Sequence, residues 1–290
     1  RQRSVSPSLM SNFMPDPKRE SALELGLGLI DTPFNVPNLR LETGEAIAKT
    51  RIGWFRSVNN IPHAFAMQSM VAELAAELGK DPKEFLLEMI GPARIVDPRR
   101  TTSQELWNYG DPWDTYPVDT GRLRAVVERA AKEAGWGKKL PAGQGMGIAC
   151  QRSFLSYVAT VVHISVDKDG NVSVPRVDTA FDAGFVVNPE RVRSQVEGAA
   201  VMGLSIAKYT NITFKNGRVQ QSNFGDYKVL RIGEGAMDVR THIMPHGIGT
   251  PSSGVGEPGV PPFAPAFYNA LYAATGKRIR NLPLGNQLSA

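Results

Sequence analysis

Glu257 stands in the run Gly254-Val255-Gly256-Glu257-Pro258-Gly259-Val260-Pro261-Pro262, just before an apolar segment. Glycines allow close approach to a ligand and backbone conformations that other residues resist. Prolines fix φ and stiffen the loop, so the carboxylate is held rather than mobile. A lone carboxylate presented this way suits a general base; a structural turn with a solvated glutamate fits the same residues, and this segment alone does not choose between them. Arg56 lies in Trp54-Phe55-Arg56-Ser57-Val58-Asn59-Asn60, at a strand-to-helix junction. Its guanidinium can offer a fixed fork of donors to an oxyanion or a metal-oxo group, or make an ordinary salt bridge. Gln195, beside Glu197 and Gly198, sits on a segment that is apolar on nearly all sides from Val196 onward, and is therefore expected to be buried. A buried amide left unpaired costs about 1–3 kcal/mol, so Gln195 needs partners, with neighbouring backbone preferred to a ligand.

Other candidates carry less. Gly143-Gln144-Gly145-Met146-Gly147 has the look of a phosphate cradle, but the P-loop lysine is missing and strand-like residues follow, so entry to a strand is the better reading. His63, His163, His242 and His246 lack metal-site spacing with carboxylates or with Cys150 and read as structural or exposed. Ser252-Ser253 has no partner histidine visible in sequence, and no Gly-x-Ser-x-Gly elbow occurs.

These residues need a scaffold, and local patterns supply one. Residues 1 to about 50 read as extended strands and loops punctuated by Pro33, Pro37 and Asn38. From Pro62, apolar residues recur at helical spacing through Leu78, with Gly79 as the stop, and Asp81-Pro82 opens a second short helix through Met89. Residues 91–117 are irregular, with Trp107, Tyr109 and Trp113 among Pro and Gly. Asp119-Thr120-Gly121 introduces a helix from Arg122 to Ala134, ending at Gly135. Lys138 to Gly143 is the expected boundary between an N-terminal part (1–141) and a C-terminal part (142–290). Beyond it the pattern turns β: Ser156 to Val166, the turn Asp167-Lys168-Asp169-Gly170, then Val172 to Val177, a hairpin. Ile212 to Phe214 and Arg218 to Gln220 flank Lys215-Asn216-Gly217 as a second hairpin. Between the hairpins lies a helix capped by Asn188, with Pro189 at its first position, running to about Ala207.

Composition bounds the function classes. The 290 residues are 42% hydrophobic and 21% charged, enough for a substantial core. Lys and Arg number 33 against 28 Asp and Glu, but the basic residues are scattered without interleaved aromatics, which argues against a nucleic-acid partner. The single cysteine, Cys150, excludes an intrachain disulfide and a cysteine-ligated iron–sulfur cluster built by this chain alone. No apolar run reaches the roughly 20 residues of a membrane-spanning helix, and no signal-peptide pattern opens the chain. It starts at Arg1-Gln2-Arg3 without methionine, which fits an artificial chain boundary, removal of a leader or cleavage of a longer precursor, the last two making it a fragment or subunit of something larger.

In order, Phe55-Arg56-Ser57-Val58, Asp182-Ala183-Gly184 with Asn188-Pro189, Gln195-Val196-Glu197-Gly198, Gly254-Val255-Gly256-Glu257-Pro258 and the ending from Ala264-Pro265-Ala266 to Arg280 resemble the molybdenum-binding large subunit of the xanthine dehydrogenase/aldehyde oxidase family. The likeness is greatest to the branch holding the isoquinoline 1-oxidoreductase β subunit and related membrane-associated aldehyde dehydrogenases. It covers almost the whole chain.

The resemblance implies an α+β molybdenum-cofactor-binding domain with mixed sheets and packed helices. It implies that Glu257 is the catalytic glutamate, that Gln195, Arg56 and Gly256 line the cofactor, and that Val58 falls where purine-oxidising relatives place a stacking aromatic. Valine has no ring face, which argues against purines. The implied cofactors are molybdopterin, as the cytosine dinucleotide, and 2Fe-2S clusters on a partner. The implied reaction is aldehyde oxidation or N-heterocycle hydroxylation with water as oxygen source. A Met-Gly-Gln-Gly segment of this branch lies before the region covered here, and Gly143-Gln144-Gly145 is not that motif. The expected partners are therefore the remaining N-terminal part of the subunit, a small iron–sulfur subunit and a cytochrome, with this chain inactive alone. Relatives include periplasmic and cytoplasmic members, so compartment stays open. The rival readings are a non-catalytic assembly or binding protein that keeps the fold and a nucleotide binder using Gly143–Gly147.

Overall fold

Helix ends in this chain are written in short-range chemistry. In the computed structural model, which describes residues 25–42, 44, 53–101, 106–235 and 237–288, α1 spans Asn60–Glu77 and α2 spans Pro82–Ile90. The Asp81 carboxylate accepts from the Lys83 and Glu84 amides at 2.9 and 3.0 Å, satisfying first-turn donors, and Pro82 fills the position that needs none. Asp119 does the same for α3 (Thr120–Ala134), which stops at left-handed Gly135. Asn188 caps α4 (Pro189–Lys208), and the apolar segment predicted after the Glu257 loop is α5 (Phe263–Thr275), buried from Phe263 to Leu271.

The central sheet has the order β3 (Gln144–Ser153), β4 (Ser156–Val166), β5 (Val172–Asp182) and β8 (Asp238–Ile243), the first three antiparallel and β8 parallel to β5. Its middle strands are covered on both faces, which is why the residues from Ser156 read as a continuous apolar run rather than an alternation. Ile148, Cys150, Tyr157, Ala159, Val161 and Ala180 face α2 and α3; Ala149, Val162, Ile164 and Val177 face α4 and α5. One cluster draws side chains from α1 to α3 and from β3 to β5 alike, with residues 138–143 an irregular link between α3 and β3.

The Gly143–Gly147 run enters β3, and its glycines serve packing. A Cβ at Gly147 would stand 2.2 Å from both the Ala266 carbonyl oxygen and the Ala270 nitrogen, and one at Gly145 would stand 2.3 Å from the Ala270 carbonyl oxygen. The missing side chains let α5 lie directly on β3, which sets the position of the loop feeding α5.

The structure departs from the sequence expectations in several places. Residues 25–42 form a turn and irregular chain without the expected strands; the rest of the 1–50 expectation, apart from Gly44, lies outside the described residues. The irregular 91–117 stretch contains a two-residue strand, β1 (Ile95–Val96), which pairs with β2 (Val118–Asp119), and a 3-10 turn at Pro98–Thr101. β5 runs five residues past the expected end, because β8 pairs alongside its second half. The small hairpin is β6 (Phe214–Lys215) and β7 (Arg218–Val219), turned by Asn216 and Gly217 at positive φ. Among the described residues no helix is long and apolar enough to cross a membrane.

Candidate active site

The Glu257 loop reaches its place through bonds to the sheet. The Ser253 amide donates to the Ala183 carbonyl at 2.9 Å and the Gly254 amide to the Phe154 carbonyl at 3.0 Å. The Ser156 hydroxyl donates to the Gly254 carbonyl at 2.6 Å, and Tyr116 to the Ser252 carbonyl at 2.8 Å. Gly184 makes room for this approach: at φ +68° it would direct a Cβ to 2.0 Å from the Pro251 carbonyl oxygen. Pro258 to Pro262 are buried and lead straight into α5.

Onto this loop the chain folds the segment before α1. Arg56 Nε donates to the Gly256 carbonyl at 2.7 Å, and one Nη reaches the same oxygen and the Gln195 Oε1, the latter at 3.0 Å. Ser57 donates its amide to Glu257 Oε2 and its hydroxyl to the Glu257 carbonyl, both at 2.7 Å. Arg56, Gln195, Gly256 and Glu257 are thus joined in one bonded constellation across separations of 139 and 200 residues. Val58 follows directly, half-buried at φ +49°, its amide donating to the Phe55 carbonyl at 2.8 Å.

Burial at this junction lowers the Arg56 pKa, opposed by the neighbouring Glu257 charge; an arginine starts so high that it stays cationic. Gln195 itself is exposed, with Glu197 and Gly198. The expected buried helix is therefore corrected. The part of α4 up to Val201 packs on the body along one side only, leaving Gln195, Glu197, Gly198 and Val201 open, whereas Gly203 to Ala207 are buried all round as expected. The amide's partner is the Arg56 side chain, a long-range contact rather than the preferred neighbouring backbone.

The remaining candidates are placed elsewhere. His242 and His163 lie 3.0 and 3.5 Å from the oxygens of Asp178, and His246 lies 2.8 Å from Asp182. His63 Nδ1 is 3.0 Å from the Leu27 carbonyl. No group of three or more His, Cys, Asp or Glu among the described residues is arranged to hold a metal ion. Cys150 is fully buried, and burial pushes its thiol up to about 12, which removes it as a nucleophile. Ser253 pairs with Ser156 at 2.7 Å, a structural contact.

Residues 122–235 match the molybdopterin cofactor-binding domain. The membrane-bound aldehyde dehydrogenase (pyrroloquinoline-quinone) of Gluconacetobacter polyoxogenes is 33% identical over 87% of this chain and 31% of its own length. The isoquinoline 1-oxidoreductase β subunit of Brevundimonas diminuta is 28% identical over 87% of this chain and 29% of its own. The chain belongs to the xanthine dehydrogenase family of molybdenum-binding subunits. The aldehyde oxidoreductase of Desulfovibrio gigas shares the fold, with a TM-score of 0.58 at 14% identity, covering 81% of this chain and 42% of that one. The α+β architecture with mixed sheet and packed helices is that of a molybdenum-cofactor-binding domain. The chain spans 20–31% of the length of the curated relatives that it matches along 87% of itself.

For a chain of this family the donor set fits the cofactor. Arg56 occupies the Gln195 carbonyl oxygen, leaving the amide nitrogen of an exposed side chain open. Beside Gly256 there is open space where a Cβ would stand, and the loop backbone is exposed there. Glu257 keeps one carboxylate oxygen without a protein donor among the described residues. An open amide donor and exposed loop backbone beside a carboxylate, with Arg56 holding them in place from within the chain, suit a polar cofactor that brings its own metal ligands. Sequence reasoning passed over Ser57, Ser156 and Tyr116. Ser57 lay inside a quoted run, whereas nothing local marks Ser156 or Tyr116 as loop anchors.

Proposed function

We propose that this chain is part of a molybdenum hydroxylase that oxidises an aldehyde or hydroxylates an N-heterocyclic aromatic with water as the oxygen source. The observation that carries the reading is Glu257: a carboxylate fixed through one oxygen, open at the other, in bonded contact with Arg56 and Gln195 through its own loop. When bound, the molybdenum cofactor supplies the two-electron redox chemistry and activates the oxygen that is transferred. Glu257 takes up a proton at its free Oε1. Arg56 holds the Gly256 carbonyl and orients Gln195, whose open amide nitrogen would, with the exposed Gly256 backbone, hold the cofactor. Val58 sits beside the base as part of the substrate wall and offers no ring for stacking.

The cofactor form in this reading is the cytosine dinucleotide. Other residues complete the cofactor wall, which agrees with the fraction of its relatives that the chain spans. They come from the remaining N-terminal part of the subunit, and electrons leave through 2Fe-2S clusters on a small partner subunit toward a cytochrome. The name of the Gluconacetobacter relative carries a different cofactor, pyrroloquinoline quinone, whereas the domain matched in this chain is a molybdopterin-binding one. Glu257→Gln in the native complex keeps shape and hydrogen bonding but cannot accept the proton. Turnover falls by at least about a hundredfold while molybdenum content is retained. Unchanged turnover overturns the assignment of Glu257 as the base.

A further inference from the structure

Ser57 is fully buried, and it reaches Glu257 twice: through its amide to the carboxylate Oε2 and through its hydroxyl to the main-chain carbonyl, each at 2.7 Å. Two bonds from one residue to the side chain and backbone of another fix the rotamer and the chain position together. The geometry depends on an unusual backbone. Ser57 has φ +75° and Val58 φ +49°, two successive left-handed residues that are not glycine. Side-chain-bearing residues resist this conformation, a valine most of all, and such positions persist where the surroundings over-determine them. Here the Val58 amide closes a turn onto Phe55, and the Asn60 amide donates to the Ser57 carbonyl at 3.0 Å. α1 then begins at Asn60, which is itself fully buried. The turn aims the Ser57 amide outward at the Glu257 loop while α1 anchors it from behind.

We propose that Ser57 is the positioning residue of this site, committing Glu257 Oε2 to its amide so that Oε1 is the oxygen presented for proton transfer. The inference rests on the reading of Glu257 as the base. The hydroxyl holds the Glu257 main chain at the distance where the amide meets Oε2. Loss of the hydroxyl alone lets the carboxylate drift although the amide donor survives.

Two measurements on the native complex test this. Amide hydrogen exchange of the Ser57 N–H is compared between wild type and Glu257→Ala, and exchange becomes about tenfold faster or more once its acceptor is gone. Ser57→Gly is the second variant, because glycine accepts φ +75° without strain and keeps the amide, so the fold survives. With benzaldehyde or nicotinate as probe substrate and ferricyanide as acceptor, kcat falls about ten- to a hundredfold, with KM and molybdenum content unchanged. A merely structural serine would lower stability and occupancy without this split. Unaltered Ser57 exchange in Glu257→Ala overturns the clamp, and unaltered kcat in Ser57→Gly overturns the positioning role. If the exchange coupling holds while Glu257→Gln turns over as fast as wild type, the clamp stands and the reading of Glu257 as base falls.

Discussion

At the scale of single residues, the site works by commitment of hydrogen bonds. Arg56 spends its donors inside the chain, on Gly256 and Gln195, so it acts as a strut under the Glu257 loop more than as a fork offered to a ligand. A lysine carries the charge but not the planar spread, and it cannot hold the Gly256 carbonyl and Gln195 together. In Arg56→Lys, kcat/KM in the native complex drops by about tenfold or more, the equivalent of one charge-assisted hydrogen bond of about 1.5–3 kcal/mol. Retention of full kcat/KM would show that the strut is dispensable. How much of this could be seen in sequence varies by residue. Glu257 stood out by type and by the glycines and prolines around it, whereas Arg56 and Gln195 had ordinary structural readings of their own, and only the family resemblance singled out all three together. Their connections stayed hidden, because Gln195 lies 139 residues and Glu257's loop 200 residues from the Arg56–Ser57 turn.

At the scale of elements, short-range chemistry was legible and long-range approach was not. Asp81, Asp119, Asn188 and Gly135 mark helix ends because each cap bonds within a few residues, and the structure places those ends where sequence puts them. β8 escaped notice: its alternation of Val239, Thr241 and Ile243 with Asp238, Arg240 and His242 spans only six residues, and its strand partner β5 lies far back in the chain. The Gly143–Gly147 run was readable as strand entry, yet Gly145 and Gly147 answer to α5, more than a hundred residues on. Gly147→Ala is therefore expected to force α5 off β3. The methyl meets rigid backbone at 2.2 Å, and over-packing of this kind costs about 3 kcal/mol, the upper end of its ordinary range. Chemical denaturation of the variant measures that loss, and because α5 directly follows the Glu257 loop, molybdenum content falls with it. A Gly147→Ala protein as stable as wild type would contradict the packing account.

At the scale of the whole molecule, two buried carboxylates act as ties: Asp178 links side chains of β4, β5 and β8 across the sheet, and Asp182 joins the sheet to α3 through Arg122. Burial alone would raise the Asp178 pKa, but bonds from His163, His242 and Arg176 outweigh it and hold the carboxyl far below the usual range. Asp182 is likewise held low by Arg122, with His246 assisting, against its own burial. Because the folded-state values are depressed, this stabilisation is fully present above the unfolded carboxylate pKa of about 3.9 and is lost as pH falls below it. Asp178→Asn should cost about 3 kcal/mol at neutral pH, the lower end for breaking a buried pair, and flatten the loss of stability below about pH 4. Thermal melts of both proteins from pH 7 to pH 3 check this; parallel curves would show that Asp178 does not carry the acid sensitivity.

The whole molecule also sets the limit of the site, in which Gln195 and Gly256 are exposed on this chain and Glu257 is half-buried beside them. The most direct test of the central claim is cofactor analysis of the native complex purified through this chain. Elemental analysis combined with identification of the released cofactor is expected to find about one molybdenum and one pterin dinucleotide per copy of the chain. A complex that turns over its substrate while containing no molybdenum, or pyrroloquinoline quinone in its place, would contradict the account.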